Sequence, residues 1–562
     1  MSKKSFLKGA AVLALAGVLV RIIGAIYRIP LTNFIGGKGV GYYQFAYPVF
    51  NLLLTLSTAG IPGAISKMVS EHLVHDDDAN ARRVFYSSLF LLTGVGLVTS
   101  TAMWLGSPWI AQLMAGRGAE YALPSMVAIA PSLLLVSVLT AFRGYFQGQQ
   151  RMTPTAVSQV LEQIIKFVPG FLFALQGFNY GASLPGTQEQ KDTFAAMYGA
   201  AGATWGVTLS EAVALAYLTL IYFIDRARGG QRKGALRNGR QIARPARRKE
   251  GFGKLSRELT MLALPMIAGA IFLPLSSMAD GAIVSQRLQE LGFTESDSTT
   301  LYGILTGMVN VLVNVPSVLS LSLSTSMIPA IAESRERGDM AAVERKSRVG
   351  MKMAMLVSIP SAVGLAVLAE PILRLLFHGK DMTDALYVIG GDLLMVSSIS
   401  VIFLSIVQST NGVLQGLGLV RVPMISLAVG ALTKIVLNYI LIGIPELNIH
   451  GAPWGTVACY ALAAIINVVC IARMAKIRFR LGGMLIRPLL AAGFMGVCAW
   501  VIERYVSPFT GMATATVLAI VAAVPAYALV AVVFGVIGKE ELAFMPGGGK
   551  LANLLKRYKL LR

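Results

Sequence analysis

Residues 10–34 read A-A-V-L-A-L-A-G-V-L-V-R21-I-I-G-A-I-Y-R28-I-P-L-T-N-F, an apolar run long enough to cross a bilayer that nevertheless carries two arginines. At about 1.5 Å of rise per residue, roughly 20 apolar residues traverse the hydrocarbon. A helix entering near Lys8 therefore sets Arg21 close to mid-bilayer, and Arg28 follows two turns later on the same face. An arginine facing lipid at helix centre costs about 2.5 to 3.5 kcal/mol. That face must turn to protein, or to water held inside a bundle.

The rest of the chain repeats the demand. With 55% hydrophobic and 14% charged residues over 562 positions, the composition lies outside that of soluble domains and predicts an all-α polytopic membrane protein. Apolar spans separated by polar breaks number fourteen, centred near residues 20, 52, 94, 132, 165, 209, 271, 312, 358, 396, 432, 462, 492 and 524. Lys3, Lys4 and Lys8 ahead of the first span resemble a signal peptide, but no A-x-A-like site precedes a polar mature domain, so the first helix is expected to stay. The cysteines Cys459, Cys470 and Cys498 are odd in number and sit in apolar stretches, a packing pattern rather than a disulfide or metal framework.

The formal charge of +21 is explained by where the cations fall. With the N-terminus inside, the inner segments hold 37 Lys/Arg and the outer loops 7; the other five of the 49, Arg21, Arg28, Lys166, Lys352 and Lys434, sit in or at the ends of spans. One helix missed or invented would invert this bias downstream, so the count predicts both termini in the cytoplasm and a multi-pass protein of the cytoplasmic membrane. The most basic stretch, 226–257, separates six spans from eight and reads as a cytoplasmic linker on anionic lipid, each surface cation contributing about 1 kcal/mol. Nucleic acid is not an expected partner.

The two sides of that linker repeat each other. R143-G-Y-F-Q147-G148 after the fourth span matches N411-G-V-L-Q415-G416 after the tenth, and eighteen residues beyond each last glycine stand Lys166 and Lys434. I61-P62-G-A-I is echoed by I328-P329-A-I, leading to Glu71 and Glu333. Two like-oriented six-helix lobes, at 1–225 and 258–478, would be related by a pseudo-two-fold axis along the membrane normal. Two extra helices at 479–538 and a basic cytoplasmic tail at 539–562 complete the expected organisation. Paired lobes of this kind suit alternating access to a central cavity, and the chain is expected to work as a monomer.

Ionisable residues within spans are functional hypotheses. Arg21 and Arg28 form a cationic ladder matched to phosphate, since the guanidinium fork engages it bidentately; a structural pairing with carboxylates on neighbouring helices is the alternative. Asp280 lies about as deep in the seventh span as Arg28 in the first, which predicts an ion pair that closes one side. Glu162 and Lys166 are spaced for mutual neutralisation along one helix. Lys434 has no such acid one turn away and is the better ligand contact, while Asn310 and Asn314 share a face and suit a sugar or another helix. H72-L-V-H75-D-D-D78 reads as a solvated turn, and G36-G-K-G-V-G41 lacks the context of a phosphate loop. No cofactor, metal site or catalytic constellation is expected; the chain is not read as an enzyme.

V20-R21-I-I-G24-A-I-Y-R28-I-P30-L-T-N-F-I-G36, G41-Y-Y-Q-F-A-Y-P48 and G60-I-P62-G-A-I-S66-K67-M-V-S-E71, with L301-Y-G-I-L-T-G-M308 and S324-T-S-M-I-P329-A-I-A-E333, resemble the MurJ-like lipid II flippases. Within the multidrug/oligosaccharidyl-lipid/polysaccharide exporter superfamily, the sequence is similar to the stage V sporulation protein B-like and YtgP-like polysaccharide biosynthesis proteins. The resemblance implies a V-shaped bundle of two lobes, with two extra helices bordering a groove for a polyprenyl tail. It also implies export of an undecaprenyl-pyrophosphate-linked saccharide, such as the peptidoglycan precursor lipid II, in cell-wall growth or sporulation. The family's first-helix arginines map onto Arg21 directly and onto Arg28 with a one-residue offset. Where some members carry further arginines on helices 2 and 8, this sequence has N51-L-L-L-T55 and N310-V-L-V-N314.

A potential negative inside would drive anionic pyrophosphate outward by about 2.3 kcal/mol per charge per 100 mV without ATP, an ion gradient being the other source. Flippases for other lipid-linked oligosaccharides, O-antigen type included, and multidrug exporters of the same superfamily are the rivals; the latter call for an acidic cavity, against which the arginines argue. A membrane-embedded glycosyltransferase would need a large catalytic outer loop, and the loops near 177–193 and 370–384 are short. A non-transporting envelope scaffold is the remaining reading.

Overall fold

A computed structural model describes residues 3–75, 77–235, 250–379, 381–477, 479 and 481–536. Most of the basic linker and the expected tail at 539–562 lie outside the described residues. Among those described, the regular structure is helical, with no strand.

The helices are α1 (Lys3–Thr58), α2 (Ile61–Val74), α3 (Asp78–Ala115), α4 (Ala119–Gly148), α5 (Met152–Ser183), α6 (Gln188–Ala235), α7 (Phe252–Ala270) and α8 (Phe272–Glu290). They continue with α9 (Glu295–Gly303), α10 (Asn310–Glu336), α11 (Met340–Val367), α12 (Ala369–Leu376), α13 (Asp384–Gly416), α14 (Arg421–Ile442), α15 (Gly451–Met474), α16 (Leu481–Thr510) and α17 (Met512–Val533). By length and apolarity, eleven segments among the described residues qualify as membrane spans, and α7 with α8, bent by 43° at their junction, makes a twelfth. Two of these, Leu19–Val74 and Asp78–Gly148, run to 56 and 71 residues, more than twice what one crossing needs. All fourteen expected centres fall on these helices except residue 271, which is the bend between α7 and α8.

Glycine sets the first break. Inside α1, Gly36 leaves helical geometry at φ 75°, ψ 174°, and a Cβ there would lie 2.6 Å from Asp381 Oδ1. Only glycine holds that backbone without strain. Residues 37–58 resume the helix, so G-K-G-V-G is helical and no phosphate loop forms. The second break is Gly60 at φ 74°, with Pro62 opening α2 just beyond it, the position where a missing N–H costs nothing. Elsewhere polar residues at the turns cap the next helix: Asp77 accepts from Asn80 N at 3.0 Å ahead of α3, and Asp339 accepts from Ala342 N at 2.8 Å ahead of α11.

The described residues of Met1–Tyr27 and Lys38–Ala282 form one compact unit; those of Arg28–Gly37 and Ile283–Arg562 form the other. The sequence reading opens the second lobe at 258, whereas α7 packs inside the first unit. Ser87 of α3 donates to the Phe252 carbonyl at 3.2 Å and shares a hydrogen bond with Ser256 at 2.8 Å. The Arg83 guanidinium lies 5.4 Å from the Phe252 ring centre, and Asn80 accepts from Glu250 N at 3.2 Å. In the second unit, residues 28–37 are held by Asn33, whose Nδ2 donates to the Leu376 carbonyl at 2.9 Å and whose Oδ1 accepts from His378 N at 2.8 Å.

The repeat read from the sequence appears as repeated packing. A Cβ on Gly148 would meet Val69 Cβ of α2 at 2.7 Å, and one on Gly416 would meet Ile331 Cβ of α10 at 2.8 Å. Each unit thus seats the glycine that closes its G-x-x-Q-G motif directly on a neighbouring helix, a closeness bulkier residues forbid.

Candidate functional site

In the first unit the α1 face that carries Arg21 looks toward α5. Arg21 itself is exposed; Gly24, next on that face, has Gln163 Oε1 3.5 Å from where its Cβ would be, and Tyr27, buried, packs against Phe167 with ring centres 5.8 Å apart. Further along α1, the Tyr47 ring lies under Lys166 Nζ at 5.3 Å, a cation–π geometry. Lys166 and Arg21 therefore stand on two helices that touch through aromatic rings.

Glu162 takes a partner that spacing along α5 does not suggest. Arg143 Nη2 of α4 donates to its Oε2 at 2.8 Å, and Arg143 Nε donates to Ser158 Oγ at 3.2 Å. Positive-inside counting assigns Arg143 to a loop; it lies inside α4, more than a turn before the helix ends, with its side chain and that of Glu162 only 15% and 18% exposed. Glu211 of α6, also in the first unit, is 6% exposed, and sequence reasoning passed over it. Its signal was present in G-V-T-L-S-E211-A-V-A-L, a lone acid within an apolar run. Asp280, on α8, also belongs to this unit and is half-buried.

The second unit holds the other expected residues. Arg28 is half-buried on α1. Asn310 begins α10 after a π-helical turn over Ile304–Val309, and Asn314, one turn on, is exposed. Lys434 is half-buried on α14, one turn before Asn438, which is 1% exposed and seated against Gly455 of α15. Among the described residues no cluster of three or more His, Cys, Asp or Glu side chains is arranged to hold a metal.

Up to twelve candidate spans among the described residues, with charges embedded in apolar helices, make this a multi-pass membrane protein. The chain belongs to the polysaccharide biosynthesis protein family, whose sequence pattern matches residues 6–335; the MatE pattern matches residues 265–440. It is similar to Stage V sporulation protein B of Bacillus subtilis (strain 168), 28% identical over 98% of this chain and 99% of that protein. Lipid II flippase MurJ of the same organism is 27% identical over 93% of both chains. Among solved structures, the inward closed conformation of lipid II flippase MurJ superposes with a TM-score of 0.66 at 14% identity, covering 93% of this chain and 98% of that one.

Proposed function

We propose that the protein exports an undecaprenyl-pyrophosphate-linked saccharide, with lipid II the first candidate, across the cytoplasmic membrane by alternating access. The observation that carries the reading is Arg21, a permanent cation in the middle of an apolar helix, in a chain similar over nearly its whole length to a lipid II flippase. A guanidinium there suits pyrophosphate, which it engages through paired hydrogen bonds. Arg28 and Lys434 extend the phosphate contacts, and Asn310 and Asn314 present amide groups of the kind that bind sugar hydroxyls. Asp280 and Arg28 act as gating charges, and Lys166, with Glu162, tunes the charge of the first unit.

The multidrug-exporter reading has the MatE match over 265–440 in its favour. Arginine in the first helix favours an anionic cargo over the cationic drugs that reading requires. Both termini are assigned to the cytoplasm on the charge bias alone. The deciding experiment is complementation of a strain depleted of its lipid II flippase. Growth should be restored by the wild-type chain and lost with Arg21→Ala; failure of the wild type would remove lipid II as the cargo.

A further inference from the structure

In the first unit α5 and α6 run together backbone to backbone. A Cβ on Gly202 of α6 would lie 2.1 Å from the Phe173 carbonyl oxygen, one on Gly206 2.3 Å from Gly170 Cα, and one on Gly177 of α5 2.2 Å from the Tyr198 carbonyl oxygen. Large side chains find no room inside such a seam, and Tyr180 and Trp205 stand half exposed on its flank. On its other side α6 is tied to α4, where Thr208 Oγ1 donates to the Ala128 carbonyl at 2.7 Å. α4 and α5 both pack along α6 and meet each other far less, so a groove of about 800 Å³ opens between them.

Tyr198, Gly202 and Trp205, on one face of α6, form its floor; Phe173 and Tyr180 of α5 stand on one wall and Val127 of α4 on the other. Among the described residues that line it none is charged. Tyr180 and Tyr198 meet edge to face, ring centres 5.0 Å apart, toward the α5–α6 turn, and Phe173 and Trp205 lie two turns, about 10 Å, further from it. The groove is therefore polar at one end, through these hydroxyls and the Gln176 amide, and apolar at the other. Helix packing does not require the polar end, because the second unit does without it. Lys166 and Lys434 hold equivalent places in the repeat, yet α5 continues 17 residues past Lys166, to Ser183, while α14 stops 8 past Lys434, at Ile442. Gln176 and Tyr180 belong to the added stretch.

We propose that this groove is a lipid-binding site holding one acyl chain of a bilayer phospholipid. All three helices that form it belong to candidate membrane spans, and an apolar opening on such helices meets lipid. An uncharged lining accepts the hydrocarbon chain and leaves the charged headgroup outside. Tyrosine is the side chain of the membrane interface. At the polar end the tyrosine hydroxyls and the Gln176 amide suit the ester oxygens from which a phospholipid's chains start. A prenyl chain bearing pyrophosphate would call for a cation at that end, and the lining supplies none. The site stands apart from Arg21 and does not rest on the exporter reading.

The test is native mass spectrometry of the full-length protein released from nanodiscs of phosphatidylethanolamine and phosphatidylglycerol, with undecaprenyl phosphate added as a competitor. Wild type should keep one phospholipid per chain through delipidation. That lipid should be lost in Val127→Trp, which fills the groove, and retained in Val98→Trp, which puts the same bulk on an exposed position of α3. Should Val127→Trp fail to fold, a chain whose only tryptophan is Trp205 carries the test. Phosphatidylcholine brominated midway along its chains should quench that fluorescence with saturation at low mole fraction, whereas lipid that merely surrounds the protein quenches in proportion to its share. No retained phospholipid, retention indifferent to Val127→Trp, a prenyl lipid in its place, or quenching without saturation each overturns the proposal.

Discussion

Arg143 and Glu162 meet across 2.8 Å between α4 and α5, each largely withdrawn from solvent. Removing one partner of such a pair strands the other, at about 3 to 5 kcal/mol where burial is complete, whereas removing both is often neutral. Arg143→Gln should therefore lower the thermal midpoint of the purified protein more than the Arg143→Gln/Glu162→Gln double substitution does. A double variant less stable than the single would show that the ion pair holds α4 to α5.

Gly148 and Gly416 should respond alike to a methyl group. Each faces a neighbour under 3 Å from its would-be Cβ, so Gly148→Ala and Gly416→Ala are each expected to cost about 1 to 3 kcal/mol by overpacking. Gly63→Ala, where nothing lies within 4 Å, serves as the control and should change stability little. Thermal unfolding followed by tryptophan fluorescence distinguishes them.

Asn33 gives one donor and one acceptor to the backbone around Leu376 and His378. Asn33→Ala leaves both backbone groups to find other partners, a loss of about 1 to 3 kcal/mol. Hydrogen exchange should rise locally at residues 376–378 rather than across the second unit; a uniform rise would place the loss elsewhere.

Arg21 is predicted to act through charge. In proteoliposomes containing lipid II, Arg21→Lys should retain part of the flipping rate and Arg21→Ala should abolish it, since a lysine keeps the charge but not the bidentate fork. Collapsing an inside-negative potential should slow the wild type, each transferred charge being worth about 2.3 kcal/mol per 100 mV. Flipping that ignores the potential would leave an ion gradient as the drive.

The fold was largely legible because hydropathy along a membrane helix is a one-dimensional signal: apolar windows mark crossings wherever they fall. The motif G-x-x-Q-G pointed to real packing at Gly148 and Gly416, since only glycine admits that approach. What stayed hidden depends on contacts between helices. Arg143 lies near a span's end and reads as a loop cation until Glu162 is seen opposite. Glu211 is one acid in an apolar run, and its burial is visible only once the helices are packed. The assignment of α7 to the first unit likewise rests on Ser87 and Asn80, polar side chains too common to single out beforehand.

Duplication leaves a chain with spare positions. Gly206 of α6 meets Gly170 and Gly455 of α15 meets Asn438, so each half closes its seam on a glycine while the residues around it differ between the halves. A transporter built this way is alike in outline and unlike in chemistry, so that work done in one half need not be mirrored in the other.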